Sequence, residues 1–121
     1  MTRKTSTAIR GENIAARFLE KTGFTIQTRN YRYGHGEIDI IAADGEYTVF
    51  VEVKTRTSSS YGPPEHAVTP AKQKQLVRVA RGYMFEKQRF DLPCRFDVVT
   101  VDLSRGEPDI GHIRNAFTLM P

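Results

Sequence analysis

The chain has 121 residues, a formal net charge of +4 from 18 Lys and Arg against 14 Asp and Glu, and a single cysteine, Cys94. That is one domain's worth of chain, expected over residues 9–121 behind a flexible basic tail over residues 1–8. One cysteine excludes an internal disulfide framework, and no apolar run approaches the ~18 residues of a membrane span. Thr and Ser follow Arg3 and Lys4 where a secretory leader would need an apolar stretch, so a cytoplasmic location is expected.

Ile14, Ala15, Phe18 and Leu19 fall on one side of a helix over Arg10–Thr22, with Gly23 as its stop. Alternation of Phe24, Ile26 and Thr28 with Thr25, Gln27 and Arg29 predicts a strand to about Tyr31. Two strands follow, Glu37–Ala42 and Thr48–Arg56, and Asp44-Gly45 between them predicts a two-residue hairpin turn. Thr57–Ala67 is a Ser, Gly and Pro-rich loop. Thr69 then caps a helix with Pro70 at its first position and a buried stripe of Leu76, Val77, Val79, Ala80, Tyr83 and Met84. Arg95–Leu103 and Ile110–Phe117 read as two closing strands. The expected class is α/β, a mixed sheet of about five strands flanked by helices.

With Asp44-Gly45 as the turn, Asp39 stands opposite Phe50 and Glu37 opposite Glu52. Residues two apart on a strand share a face. Glu37, Asp39, Glu52, Lys54 and Arg56 therefore project from one side, and Ile38, Ile40, Val49, Val51 and Val53 from the other. Opposed carboxylates with Cβ atoms about 5 Å apart destabilise a sheet. Lys54 and Arg56, a raised pKa on one acid, or a bound cation must offset that repulsion. Hard divalent ions take oxygen ligands, and Asp39, Glu52 and the Val53 carbonyl supply a set that suits Mg²⁺ or Mn²⁺. Lys54 reaches the same space and can orient an attacking water or stabilise charge on a phosphate. The bland alternative is a strand face laced with cross-strand salt bridges.

Six basic residues, Lys72, Lys74, Arg78, Arg81, Lys87 and Arg89, stand against one acid, Glu86, along the second helix. They suit a phosphate backbone as well as they suit a solvated helix face. Tyr31, Tyr33 and Tyr61 offer rings for stacking on bases, or simply partly buried loop aromatics. His35, between two glycines next to these acids, offers a phosphate contact or is simply a solvated loop histidine; His66 and His112 have no ligand spacing, and Asp97 reads as a partner of Arg95 or of a neighbouring strand.

Asp39, followed after twelve residues by Glu52-Val53-Lys54, resembles the active-site motif of the PD-(D/E)XK nuclease superfamily. More closely, Gly36-Glu37-Ile38-Asp39-Ile40-Ile41-Ala42 with Val49-Phe50-Val51-Glu52-Val53-Lys54-Thr55-Arg56 resembles the bacterial UPF0102 (YraN-like) family, related to the archaeal Holliday junction resolvases. The likeness extends through Gly11-Glu12 and Ala15, Asn30-Tyr31-Arg32, Lys72-Gln73, Arg95-Phe96-Asp97-Val98 and Asn115-Ala116-Phe117, nearly the whole chain from about residue 9. One departure is Ile38, where the superfamily motif has Pro before the Asp.

The resemblance implies a restriction-endonuclease-like fold and metal-dependent hydrolysis of phosphodiester bonds in nucleic acid. Asp39 and Glu52 would be metal ligands, Lys54 the catalytic lysine, and Glu12 the first-helix acid that completes the metal site. Glu37 is expected to support the ligands, since it faces Glu52, or else to pair with Arg56. Gln73 is expected either to contact the site or to be an exposed helix glutamine. Arg32, Arg56, Lys72, Lys74 and Arg78 would contact the nucleic-acid backbone. DNA is the expected substrate, branched DNA by analogy with the resolvases, and a two-fold symmetric junction calls for a homodimer. Two other readings stand beside the nuclease: a nucleic-acid-binding module that keeps the fold without turnover, and an adaptor that pairs through an edge strand.

Overall fold

A computed structural model describes residues 4–58 and 68–118 of the chain. In chain order the elements are α1 (Ser6–Lys21), β1 (Thr25–Tyr33), β2 (Gly36–Asp44), β3 (Tyr47–Arg56), α2 (Pro70–Glu86), β4 (Cys94–Asp102) and β5 (Asp109–Phe117). The five strands form one sheet in the order β1-β2-β3-β4-β5. Neighbours pair antiparallel except β3 and β4, which are parallel and joined across the sheet by α2. The expected α/β class and mixed five-stranded sheet are what the chain forms. Among the described residues no helix is long and apolar enough to cross a membrane.

Each helix covers one face. Leu76, Val79, Ala80, Tyr83 and Met84 of α2 pack on Ile41, Phe50, Phe96 and Val98. Ala15, Ala16 and Leu19 of α1 pack on Ile40, Ala42, Val49, Val51, Val99 and Val101. Phe50 thus points to α2 while its neighbours Val49 and Val51 point to α1. A strand buried on both faces needs apolar residues at every position, which is why V-F-V reads as a run rather than an alternation.

The second helix starts as the sequence predicts, with Thr69 as cap: its Oγ1 accepts the Lys72 N–H at 3.2 Å. The first helix does not. It begins at Ser6 rather than Arg10, because Thr5 is a competent cap whose Oγ1 accepts the Ala8 N–H at 3.1 Å. The tail expected over residues 1–8 is therefore helical from Ser6, and Lys4 is held in ion pairs described below.

The hairpin differs from expectation by two residues. Asp44 pairs with Tyr47 and Ile40 with Val51, so the turn is Gly45-Glu46. Gly45 has φ +61 and Glu46 does not share the positive sign, which suits a type II′ turn with glycine at its first central position. A shift of two preserves the parity between the strands but changes who faces whom. Paired numbers now sum to 91, so continuing the ladder one step beyond Ile40 and Val51 sets Asp39 against Glu52.

Alternation along β2 is itself broken. Ile38 belongs to the α2-side core and Ile40 to the α1-side core, although two residues apart they were expected to share a face. The break is matched on β1, where Asn30 adopts φ +55 between the pairs Arg29↔Ile40 and Tyr31↔Ile38. Asn tolerates the left-handed region better than other side-chain-bearing residues. Asn30 and Asp39 stand opposite each other at this irregularity.

Close approach of α1 to the sheet depends on Gly11. A Cβ there would lie 1.9 Å from Thr55 Oγ1 and 2.9 Å from Thr55 Cβ, too close for a rotamer change alone to relieve. Gly11→Ala is expected to destabilise the fold by about 2 kcal/mol, overpacking outweighing alanine's better helix propensity. The midpoint of urea unfolding measures this, and an unchanged or higher midpoint would contradict it.

Candidate metal centre

Four acids gather where β2 and β3 part, next to the start of α1. Glu12, one position after Gly11, is 3% exposed, an unusual depth for a glutamate. Its Oε1 accepts from Arg29 Nη2 at 3.2 Å and from Asn30 Nδ2 at 3.0 Å. Its Oε2 is taken by the ammonium of Lys4. The paired irregularity in β1 and β2 has a direct consequence here: it turns Arg29 and Asn30 together toward Glu12.

Asp39 lies between the strands. Its Oδ2 accepts the Val53 N–H at 2.8 Å and its Oδ1 accepts from Lys4 Nζ at 2.8 Å. Val53 thus touches Asp39 through its N–H, whereas the sequence singled out its carbonyl. Glu52 is buried, and the ladder of β2 on β3, continued one step, sets Asp39 against it. Its burial and the Asp39 charge push the Glu52 carboxyl up to about 7, against the pull of Lys72 and Lys54. Their ammoniums lie 3.9 and 3.6 Å from Glu52 Oε2. The repulsion anticipated from the sequence is thus relieved by a raised carboxyl pKa and by lysines.

Glu37 does not face Glu52. The two-residue shift of the hairpin moves it away, and it pairs instead with Arg32 at 3.1 Å and Lys4 at 3.2 Å. Gln73 sits beside Lys72, and its Nε2 donates to the Val68 carbonyl at 3.1 Å, so it braces the entry to α2. Arg56 ends β3 opposite Asp102. Lys74 and Arg78 line a groove along α2 together with Tyr33, Arg81 and Phe85. Tyr61 and His66 lie outside the described residues.

Lys4 is the residue that sequence reasoning missed. Burial opposes its charge, but hydrogen bonds to Asp39 and Glu12 outweigh that penalty and hold the ammonium above the ordinary lysine range. The one available signal was Thr5 as a cap. Extending the helix to Ser6 sets Lys4 eight residues, about two turns, before Glu12.

Asp97 has a structural part, in keeping with the pairing expected for it. It accepts from Arg95 Nε at 3.0 Å and from the Asn115 N–H at 3.0 Å, and His112 Nε2 lies 2.8 Å from its Oδ2. Burial works against its charge, but His112, Arg95 and the Asn115 amide prevail and hold the carboxyl below its usual range.

Among the described residues no group of three or more His, Cys, Asp or Glu side chains is arranged as a metal site. Glu12, Glu37 and Asp39 are instead drawn in around one cation, the Lys4 ammonium.

Comparison with known proteins agrees with the sequence motifs. The chain is 47% identical over 110 residues to a UPF0102 protein of Geobacter metallireducens, covering 91% of this chain and 90% of the relative. It is 47% identical over 112 residues to one from Geobacter sulfurreducens, covering 92% and 88%, and 45% identical over 108 residues to one from Rhodococcus opacus, covering 88% and 92%. Among solved structures, Pyrococcus furiosus SfsA in complex with Ca²⁺ aligns with a TM-score of 0.41 and 15% identity, over 88% of this chain and 61% of that one. The family model described as "Uncharacterised protein family UPF0102" matches residues 11–101, from the glycine that seats α1 to the last residue but one of β4. By that match and by relatives alike over nine-tenths of their length, the chain belongs to the UPF0102 family.

Proposed function

We propose that this protein is a cytoplasmic, Mg²⁺- or Mn²⁺-dependent endonuclease that hydrolyses phosphodiester bonds in DNA, with branched recombination or repair intermediates as substrates. The observation that carries the reading is the Asp39–Glu52 pair. Continued one step, the strand register sets Asp39 against a buried Glu52; burial and the Asp39 charge push the Glu52 carboxyl up to about 7, and Lys54 Nζ lies 3.6 Å from Glu52 Oε2. A strand face selected only for stability gains nothing from burying such a pair, since removing either acid would relieve the repulsion.

Asp39, Glu52, the Val53 carbonyl and Glu12 would hold the ion, and Glu37 would support them from the β2 side. The ion, when bound, supplies Lewis-acid activation of water and neutralises charge at the phosphate. The Val53 N–H fixes the orientation of Asp39 through Oδ2 and leaves Oδ1 for a cation. Arg29 and Asn30 do the same for Glu12, occupying Oε1 and leaving Oε2. Lys54, more than a third exposed, can reach a phosphate beside Glu52 and stabilise its developing charge. Arg32, Arg56, Lys72, Lys74 and Arg78 would contact backbone phosphates. Cutting both strands of a two-fold symmetric junction needs two such sites, hence a homodimer.

The test is a panel of labelled single-stranded, duplex, flapped and four-way-junction DNA, with RNA beside it, each with EDTA, Mg²⁺ or Mn²⁺. Metal-dependent cutting of branched DNA is expected, lost in both Asp39→Asn and Lys54→Ala. Binding without cutting would replace the enzyme with a nucleic-acid-binding module. Neither binding nor cutting would end the nucleic-acid reading altogether.

A further inference from the structure

Several cations touch the acids of the site, and most of them touch one acid each. Arg29 pairs with Glu12, Arg32 with Glu37, and Lys54 and Lys72 with Glu52. Lys4 differs. Its single Nζ meets Glu12 Oε2, Asp39 Oδ1 at 2.8 Å and Glu37 Oε1 at 3.2 Å. These three oxygens come from two elements, α1 and β2, and they include the Glu12 and Asp39 oxygens left over once Arg29, Asn30 and the Val53 N–H are satisfied. The ammonium therefore occupies the free oxygens of two proposed ligands, Glu12 and Asp39, and of Glu37 beside them.

Its reach follows from the cap. Thr5 fixes the start of α1 through the Ala8 amide, and Lys4, the residue before it, is carried back over the carboxylates. An ammonium and a divalent ion cannot both lie about 3 Å from the same oxygens, because their charges repel at that range. A divalent ion offers these acids two charges and open coordination positions, whereas Lys4 offers one charge that the chain already holds nearby.

We propose that Lys4 is an autoinhibitory occupant of the cation seat, and that a divalent ion enters only as the ammonium leaves. The inference rests on reading the acids as a metal centre. Thr5 and the first turn of α1 move with Lys4, so metal loading loosens the start of the helix.

Mn²⁺ binding, followed by the electron paramagnetic resonance of the free ion, tests this without any nuclease assay. Wild type runs beside Lys4→Met, Lys4→Gln and Lys4→Arg, with thermal melts confirming that each is folded. An intramolecular competitor weakens a ligand in proportion to its effective concentration, so Lys4→Met and Lys4→Gln are expected to bind Mn²⁺ about tenfold more tightly than wild type. Lys4→Arg, which keeps the charge, should stay near wild type. In wild type, saturating Mg²⁺ should speed hydrogen exchange at the Ala8 amide, whose partner is the Thr5 hydroxyl. Equal Mn²⁺ affinity in wild type and both neutral variants, with Asp39→Asn still weakened, overturns the plug and leaves the metal centre standing. Weaker binding in folded Lys4→Met and Lys4→Gln overturns it as well, making Lys4 an organiser of the site. No Mn²⁺ binding by any variant overturns the metal centre and the plug with it.

Discussion

Glu52→Gln is expected to make the folded protein more stable at pH 8 while abolishing metal-dependent cleavage. The Glu52 carboxyl keeps its proton up to about pH 7 in the folded chain, against an ordinary value of 4.5, chiefly because burial and the Asp39 charge disfavour its ionisation. Between those two values the folded state binds more protons than the unfolded one, so stability falls as pH rises through that window. Above it the ionised carboxylate carries the whole penalty, on the order of 3 kcal/mol. Gln keeps the shape of the side chain but never ionises. Urea unfolding at pH 5 and pH 8 measures the effect: the variant should gain most at pH 8 and little at pH 5. A variant less stable than wild type at pH 8 would show that Glu52 is a structural salt-bridge partner of Lys54 and Lys72. That outcome would also remove the main support for the nuclease reading.

The second large effect lies outside the site. Asp97 has a fully buried side chain with Arg95 and His112 against it, and the Asn115 amide comes from a strand whose register shifts between Phe96 and Val98 to allow it. Asp97→Asn leaves Arg95 only the more exposed Asp44, 2.9 Å from its Nη2, as counter-charge, and disrupting the buried pair costs about 3 kcal/mol. That corresponds to roughly 10 °C in the melting temperature of a chain this size. The acid side carries the same information. A carboxyl held below its ordinary 3.8 contributes stability above that value, and the contribution is lost as pH falls through the lower folded value. Wild type should therefore lose stability more steeply than Asp97→Asn below pH 3.8. Parallel pH profiles for the two proteins would rule out the network as a source of acid sensitivity.

Metal loading and the N-terminal lysine connect with the first of these predictions. Burying Asp39 and Glu52 together is costly, and Lys4 offsets part of that cost from the Asp39 side. On the proposed reading, the ammonium stands in for the ion's charge at Asp39 and Glu12.

Much of the fold was legible in local pattern. Periods of 3.6 and 2 located both helices and all five strands to within a few residues, because burial on one or both faces imposes that spacing wherever an element packs. Thr69-Pro70 announced α2 because a cap and a first-turn proline act through neighbouring backbone alone. The Asp39, Glu52 and Lys54 grouping was legible for a related reason: any even-length hairpin loop keeps the parity of two antiparallel strands, so moving the turn from Asp44-Gly45 to Gly45-Glu46 left these residues together.

Tertiary structure decided what parity could not. The partner of Glu52 changed from Glu37 to Asp39, because register depends on which turn the two strands accept when packed. The turning of Arg29, Asn30 and Asp39 toward α1 comes from a paired irregularity in β1 and β2, and an irregularity by definition leaves no period to read. Lys4 joined the acids only because Thr5 caps α1 at Ser6 and the helix lies close enough, at Gly11, to deliver it. Local propensity and periodicity act over a few residues and are written in the chain, whereas the charge balance of a buried site is settled by segments that meet only once the sheet and its two helices have packed.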